Sequence, residues 1–191
     1  MSIKIVFLGP ANVGKTSLIQ RISKGCYTSN CPATSAAAFT QKKAIYEGKE
    51  FDVGIWDTAG SEQYKSIAPM YFRNASVGFV VADAAKPELD FQTIEWVHEL
   101  KNKGKQNVKV VIVINKEDLI VDKESLDRRG QAMSAEFGGS YILTSALTGK
   151  GVDKMLEQSF GLIKEEIMLL ETSEEDLPLN IPPEKLPSKC C

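Results

Sequence analysis

The chain has 191 residues, 43% of them hydrophobic, which fits one domain of ordinary size built on a single sizeable core. Its 25 acidic and 23 basic residues leave a formal charge of −2, so no general affinity for nucleic acid or an anionic membrane is expected. The longest apolar runs, VGFVVA and VVIVI, fall far short of the ~20 residues of a membrane span. The stretch before Gly9-Pro10 is too short for a signal-peptide core, so a cytosolic, reducing setting is the expectation. Cys26 and Cys31 have no matching pair and no nearby histidine, and are read as ordinary thiols rather than a zinc site.

In chain order, Ser2 to Leu8 is a short apolar run ending at glycine, hence a buried strand. Gly14 to Ser23 reads as a helix with Leu18, Ile19 and Ile22 on one face, and Cys26 to Ala36 as a polar, broken loop. Phe39 to Tyr46 and Phe51 to Trp56 read as two strands joined by Glu47-Gly48-Lys49, a hairpin. Val77 to Ala82 and Val108 to Ile114 are buried strands, separated by a helix over Leu89 to Lys101 whose apolar members are Phe91, Ile94, Trp96, Val97 and Leu100. A helix over Glu124 to Phe137 and a short strand over Ser140 to Leu143 follow. Val152, Met155, Leu156, Phe160, Ile163 and Ile167 repeat at helical spacing as one last helix.

Strands alternating with helices, several of them apolar throughout, predict an open α/β sheet covered on both faces. Ligands then bind beyond the carboxyl ends of the strands. From Glu171 the composition shifts: the last 21 residues hold four of the eight prolines, five acids and two lysines. A folded domain over 1–170 and a flexible tail over 171–191 are expected.

GPANVGKT, Gly9 to Thr16, fits the phosphate-loop pattern G-x-x-x-x-G-K-[ST] and lies where that pattern requires, between a strand and a helix. Glycines at both ends let the chain wrap tightly, so that the backbone through Ala11, Asn12, Val13, Gly14, Lys15, Thr16 and Ser17 turns its N–H groups toward phosphate at a helix N-terminus. Lys15 would reach the β and γ phosphates, and the Thr16 hydroxyl would ligate Mg²⁺.

NKED, Asn115 to Asp118, ends a buried strand. The Asp118 carboxylate can accept from two guanine N–H groups at once, a donor pair that adenine lacks. Lys116 can lie along the base, and Asn115 can tie this turn to the phosphate loop. In LTSALTGKG, Ser145 can orient the Asp118 turn and the Ala146 N–H can meet the guanine carbonyl. Asp57, where the strand ending WDTAG stops, is placed to hold Mg²⁺ through a water, and Gly60 can offer its N–H to the γ-phosphate. An adenine-nucleotide kinase or ATPase on the same loop would not need NKED.

With GPANVGKT, Thr34, WDTAGSEQY, NKED and TSA in this order and spacing, the sequence resembles the small GTPases of the Ras superfamily, Rab branch, over nearly its whole length. YFRNA and the terminal Cys190-Cys191 look specifically Rab-like; PATSAAAFTQ and SIAPMYFRNA look like the endocytic, early-endosomal Rabs. The resemblance implies a six-stranded sheet, five strands parallel and one antiparallel, flanked by five helices. It implies a GTP/GDP switch with Mg²⁺ held by Thr16, Thr34 and Asp57, and a catalytic group of Lys15, Thr34, Gly60 and Ser61. Tyr27 would cover the guanine ring. Phe39, Trp56 and Tyr71 match the aromatic trio that meets effectors, with core and rim packing as the competing reading. Cys190 and Cys191 would carry geranylgeranyl groups. The implied partners of this monomer are an exchange factor, an activating protein, a GDP-dissociation inhibitor, effectors and a membrane, on the cytoplasmic face of endomembranes, with no nucleic acid.

The sequence departs from the family at several places. Ser61 stands where the family usually has the glutamine that orients the attacking water. Serine is too short to reach the same place without an intervening water, so either intrinsic hydrolysis is slow and completed by an activating protein, or the protein stays locked with GTP. Ser35-Ala36 replace the usual Ile-Gly, and Leu147 replaces the usual lysine beside the base, where its side chain can still pack. His98, the single histidine, is read as structural or surface.

Overall fold

The computed structural model describes residues 2–29, 34, 37–60 and 68–175. Cys31, Ser35, Ala36, Ser61, and the part of the tail from 176 onward with Cys190 and Cys191 lie outside the described residues. The elements in chain order are β1 (Ser2–Leu8), α1 (Lys15–Lys24), β2 (Ala38–Tyr46), β3 (Lys49–Asp57), α2 (Ala68–Phe72), β4 (Val77–Asp83), α3 (Asp90–Lys103), β5 (Lys109–Asn115), α4 (Lys123–Ala135), β6 (Ser140–Leu143), α5 (Val152–Leu162) and α6 (Lys164–Glu175).

The strands form one six-stranded sheet in the order β2-β3-β1-β4-β5-β6. Only the β2–β3 pair is antiparallel, closed by the tight turn that places Tyr46 opposite Lys49; the other four pairings are parallel. The expected architecture is therefore present: a mostly parallel sheet with one antiparallel pair. The order reverses between β1, which starts the chain, and its two neighbours β3 and β4, and the carboxyl ends of β1, β3, β4 and β5 line up there. That is the place where such a sheet leaves a crevice for a ligand.

Alternate residues of the inner strands feed two cores, as a doubly covered sheet demands. On one face Ile5, Phe7, Ile55, Phe79 and Val113 pack under α1 and α5 through Leu18, Ile22, Met155 and Phe160. On the other Val6, Leu8, Val80, Ile112 and Ile114 pack under α2, α3 and α4 through Phe72, Trp96, Leu100 and Met133.

Two local expectations are corrected. The single last helix is broken at Ile163, whose backbone leaves the helical region (φ −108, ψ 18). Gly161, a poor helix former, weakens that turn. The buried face is kept because Ile163 and Ile167 both stay inward and Ile167 N–H bonds to the Ile163 carbonyl. The implied five helices thus become six α-helices among the described residues. Phe91 does not join the inner face of α3: it is 70% exposed, while Thr93 turns inward and its hydroxyl donates to the Leu89 carbonyl. His98 is exposed, with its ring edge-on to Phe137. Among the described residues no helix is long and apolar enough to cross a membrane.

The two layers leave no room at Gly78 of β4, where an added Cβ would lie closer than 3.0 Å to the fully buried Leu100 of α3. Gly78→Ala is expected to lower unfolding stability by about 1–3 kcal/mol through overpacking, read as a lower urea midpoint at unchanged slope.

Candidate functional site: the loops at the carboxyl ends of the strands

The chain leaves β1 through Gly9, whose φ of 132 is open to glycine and whose missing Cβ lets the turn lie directly against the Val81 carbonyl of β4. It re-enters a helix at Gly14 (φ 98), where a Cβ would collide with the side-chain amide of Asn115. Between them Ala11 and Asn12 stand exposed on the rim and Val13 is buried beneath. Ser17 is half-buried in the first turn of α1.

Lys15 is 6% exposed and folds back over the loop, donating to the carbonyls of Gly9 (2.9 Å) and Pro10 (2.7 Å). Burial pushes its ammonium down to about 8, against the pull of the Asp57 carboxylate. Gly60 presses against the same place, since a Cβ there would meet both Lys15 Nζ and the Pro10 carbonyl. The loop after β3 therefore lies over the phosphate loop.

Thr16 Oγ1 donates to Asp57 Oδ2 at 2.6 Å and lies 2.7 Å from Thr34 Oγ1. The three residues expected around Mg²⁺ are thus neighbours. Asp57 is buried, and its second oxygen, Oδ1, has no hydrogen-bond partner. Burial raises its carboxyl above the ordinary value, with Thr16 and Lys15 pulling it partly back. A buried carboxylate with one free oxygen, flanked by two hydroxyls, is a hard oxygen donor set that fits Mg²⁺, an ion that takes few protein ligands and completes its shell from water and phosphate. Among the described residues no group of three or more His, Cys, Asp or Glu could hold a metal.

Beyond β5 the backbone turns at Lys116 (φ 66) into a single 3-10 turn, Glu117–Leu119. Asn115, 1% exposed, donates through Nδ2 to the Val13 carbonyl (2.9 Å). Its Oδ1 accepts from Ala146 N–H (3.1 Å) and Thr144 Oγ1 (3.3 Å). Lys116 Nζ donates to the Asn12 carbonyl (2.7 Å) and to Asp83 Oδ2 (2.6 Å). Asp118 is left with a buried Oδ1 that has no partner. Ser145 is fully buried, but its hydroxyl accepts from Thr148 N–H rather than touching the Asp118 turn. Leu147 and Tyr27 stand exposed.

Phe39, Trp56 and Tyr71 form one strip: ring centroids are 5.2 Å apart for Phe39–Trp56 and 6.0 Å for Trp56–Tyr71. Phe39 is 55% exposed, Trp56 and Tyr71 half-buried. Lys4 Nζ lies 4.8 Å from the centre of the Trp56 ring.

Several residues of this site carry no motif. Asp83 is almost fully buried, and its two oxygens accept from Lys116 and from Ala85 N–H. An acid closing the apolar strand VGFVVAD was its one sequence signal. Arg21 of α1 donates to the carbonyls of Ala146 (3.0 Å), Leu147 (2.5 Å) and Gly25 (2.9 Å), which nothing local in its helix announces. Glu117, 3% exposed, accepts from Lys123 (2.8 Å) and Lys150 (3.0 Å). Burial alone would raise its carboxyl, but the two ammonium groups outweigh it and hold it below the usual carboxylate range.

A model of the Ras family matches residues 4–165. "Ras-related protein Rab-5A" of Dictyostelium discoideum is 34% identical over 152 residues, 80% of this chain and 76% of that protein. "Ras-related protein Rab-22A" of Homo sapiens is 30% identical over 190 residues, 99% and 97% of the two chains. "GTP-binding protein ypt5" of Schizosaccharomyces pombe is 35% identical over 154 residues, 80% and 73%. Similarity of this extent takes in all the loops at the carboxyl end of the sheet, and the chain belongs to the Ras family, in its Rab branch.

Proposed function

We propose that the chain is a GTP/GDP-binding switch of vesicular membrane traffic, acting in the endocytic pathway, whose own GTP hydrolysis is slow. The observation that carries the reading is Asp118. Its turn is bonded to the phosphate loop through Asn115 and Lys116, yet one of its buried carboxylate oxygens is left free. A buried acceptor without a partner costs stability until a donor fills it, and guanine brings two N–H donors. The relatives with Rab names support the traffic role, and those of the Rab-5, Rab-22 and ypt5 type support an endosomal membrane.

In this reading Lys15 exchanges the Gly9 and Pro10 carbonyls for phosphate oxygens, and the backbone from Ala11 to Ser17 holds the rest of the chain of phosphates. Thr16, Thr34 and Asp57 hold Mg²⁺, which neutralises charge on the phosphates. Thr34, together with Gly60, senses the terminal phosphate, so that its loss releases both segments. Tyr27 and Leu147 flank the base, and Ala146 N–H turns from Asn115 to the guanine carbonyl. Ser61 leaves the attacking water poorly oriented, and an activating protein completes the site. Phe39, Trp56 and Tyr71 meet effectors, and an exchange factor and a GDP-dissociation inhibitor complete the cycle of this monomer. Cys190 and Cys191 carry two geranylgeranyl groups, enough for stable anchoring where one chain gives marginal binding. The tail's five acids and two lysines add no polybasic attraction. Ser61 also favours a second reading, a GTP-locked scaffold that binds effectors without turnover.

Chromatography of the denatured protein is expected to release GDP or GTP; adenine nucleotide, or no nucleotide together with no binding in Mg²⁺, contradicts the reading. Asp118→Asn replaces one acceptor by a donor and should weaken GDP binding by about a hundredfold while improving binding of xanthosine diphosphate, measured by calorimetry. In single-turnover assays Ser61→Gln should raise intrinsic hydrolysis by about tenfold or more. A wild-type chain that hydrolyses only with an activating protein supports the switch, and one that never does supports the scaffold.

A further inference from the structure

Glu117 is the one member of the NKED turn that neither the phosphate loop nor the base requires, and it is a buried acid. Burying a lone carboxylate is costly, so a chain that keeps one there must pair it. Its two partners come from different segments. Lys123 opens α4 and also donates to the Glu117 backbone carbonyl, so that pair closes the turn on itself. Lys150 sits at the far end of the loop between β6 and α5, and its bond to Glu117 Oε2 crosses from one base-side loop to the other.

That second loop is tied mostly to itself and to its root. Ser145 N–H bonds to the Lys150 carbonyl and Gly149 N–H to the Ser145 carbonyl, so residues 145–150 form a compact turn. Arg21 grips its near side at Ala146 and Leu147, and Asn115 grips Ala146 from below. The Glu117 N–H bonds to the Thr144 carbonyl at the root of the turn. On its far side the Gly149 carbonyl accepts from Val152 N–H, and the Lys150 side chain supplies a side-chain ion pair that reaches the NKED turn. Lys150 is 63% exposed, so this bond can break and reform in solvent while Glu117 keeps Lys123.

We propose that the Glu117–Lys150 ion pair is a latch that holds the Ala146–Leu147 turn against the Asp118 turn and thereby sets how long a guanine nucleotide stays bound. This rests on the proposed function of the site. Glu117 and Lys150 are positioning residues, since neither needs to touch the nucleotide. When the pair parts, the two base-side turns lose one tie between them, and the gap that the base enters widens.

The test is release of a ribose-labelled fluorescent GDP from the full chain loaded with Mg²⁺, chased by excess GDP. Lys150→Gln leaves Glu117 paired with Lys123 and should speed release by about two- to fivefold, with Lys150→Arg restoring the slow rate. Raising salt should speed release from the wild type and leave Lys150→Gln unchanged, because the exposed half of the latch is screened. Combining Glu117→Gln with Lys150→Gln should release no faster than Glu117→Gln alone. Release from Lys150→Gln at the wild-type rate overturns the latch, as does a lower melting temperature without faster release. If the wild type takes up no labelled GDP at all, it is the nucleotide-binding reading that fails, and the two failures are told apart.

Discussion

The side-chain amide of Asn115 is the joint on which the site depends. One buried group donates to the phosphate loop at Val13 and accepts from Thr144 and Ala146, so β5, the loop after β1 and the loop after β6 are bound to a common point. In a buried, water-poor setting such bonds are hard to replace, and each unmade one leaves a desolvated group behind. The joint exists only because Gly14 has no Cβ to fill the space that the amide occupies. A sheet alone would bring these loops to one edge; Asn115 sets their separation.

Charge is sorted around that joint. Asp83 is matched by Lys116 and Ala85 N–H, Asp90 by the Arg129 guanidinium, which also bonds the Asp83 and Ala84 carbonyls, and Glu117 by two lysines. These acids hold loops in place. Asp57 and Asp118 instead each keep one buried oxygen without a partner. The first sits among hydroxyls, where a hard cation fits, and the second at the end of β5, where a pair of N–H donors fits. Within the loops at the carboxyl ends of the strands, the saturated acids hold the scaffold and these two keep an oxygen for a ligand.

Much of this was legible in the chain because it is local. Apolar runs such as VGFVVA and VVIVI mark strands buried on both faces, and GPANVGKT and NKED stand at strand ends where their spacing has a physical use. What was not legible is what tertiary packing decides. APMYF is too short for a helical period to show, and it is helical as α2 through its burial of Ala68 and Phe72. The apolar face runs unbroken across Ile163, so the period hid a break that only the backbone shows. Phe91 looked inward by composition but points out, while Thr93 of the same turn is fully buried. Arg21 and Lys150 act on loops more than 30 residues away from themselves or their partner, a relation no window of sequence contains.

The most direct test of the joint is calorimetric GDP binding in Mg²⁺ to Asn115→Ala beside the wild type. Loss of the two buried hydrogen bonds that Asn115 keeps once Ala146 N–H has turned to the base, at about 1 kcal/mol each, should weaken binding by about thirtyfold while the circular-dichroism spectrum of the sheet is kept. A folded Asn115→Ala protein that binds GDP within about threefold of the wild type would show that the loops hold their places without it.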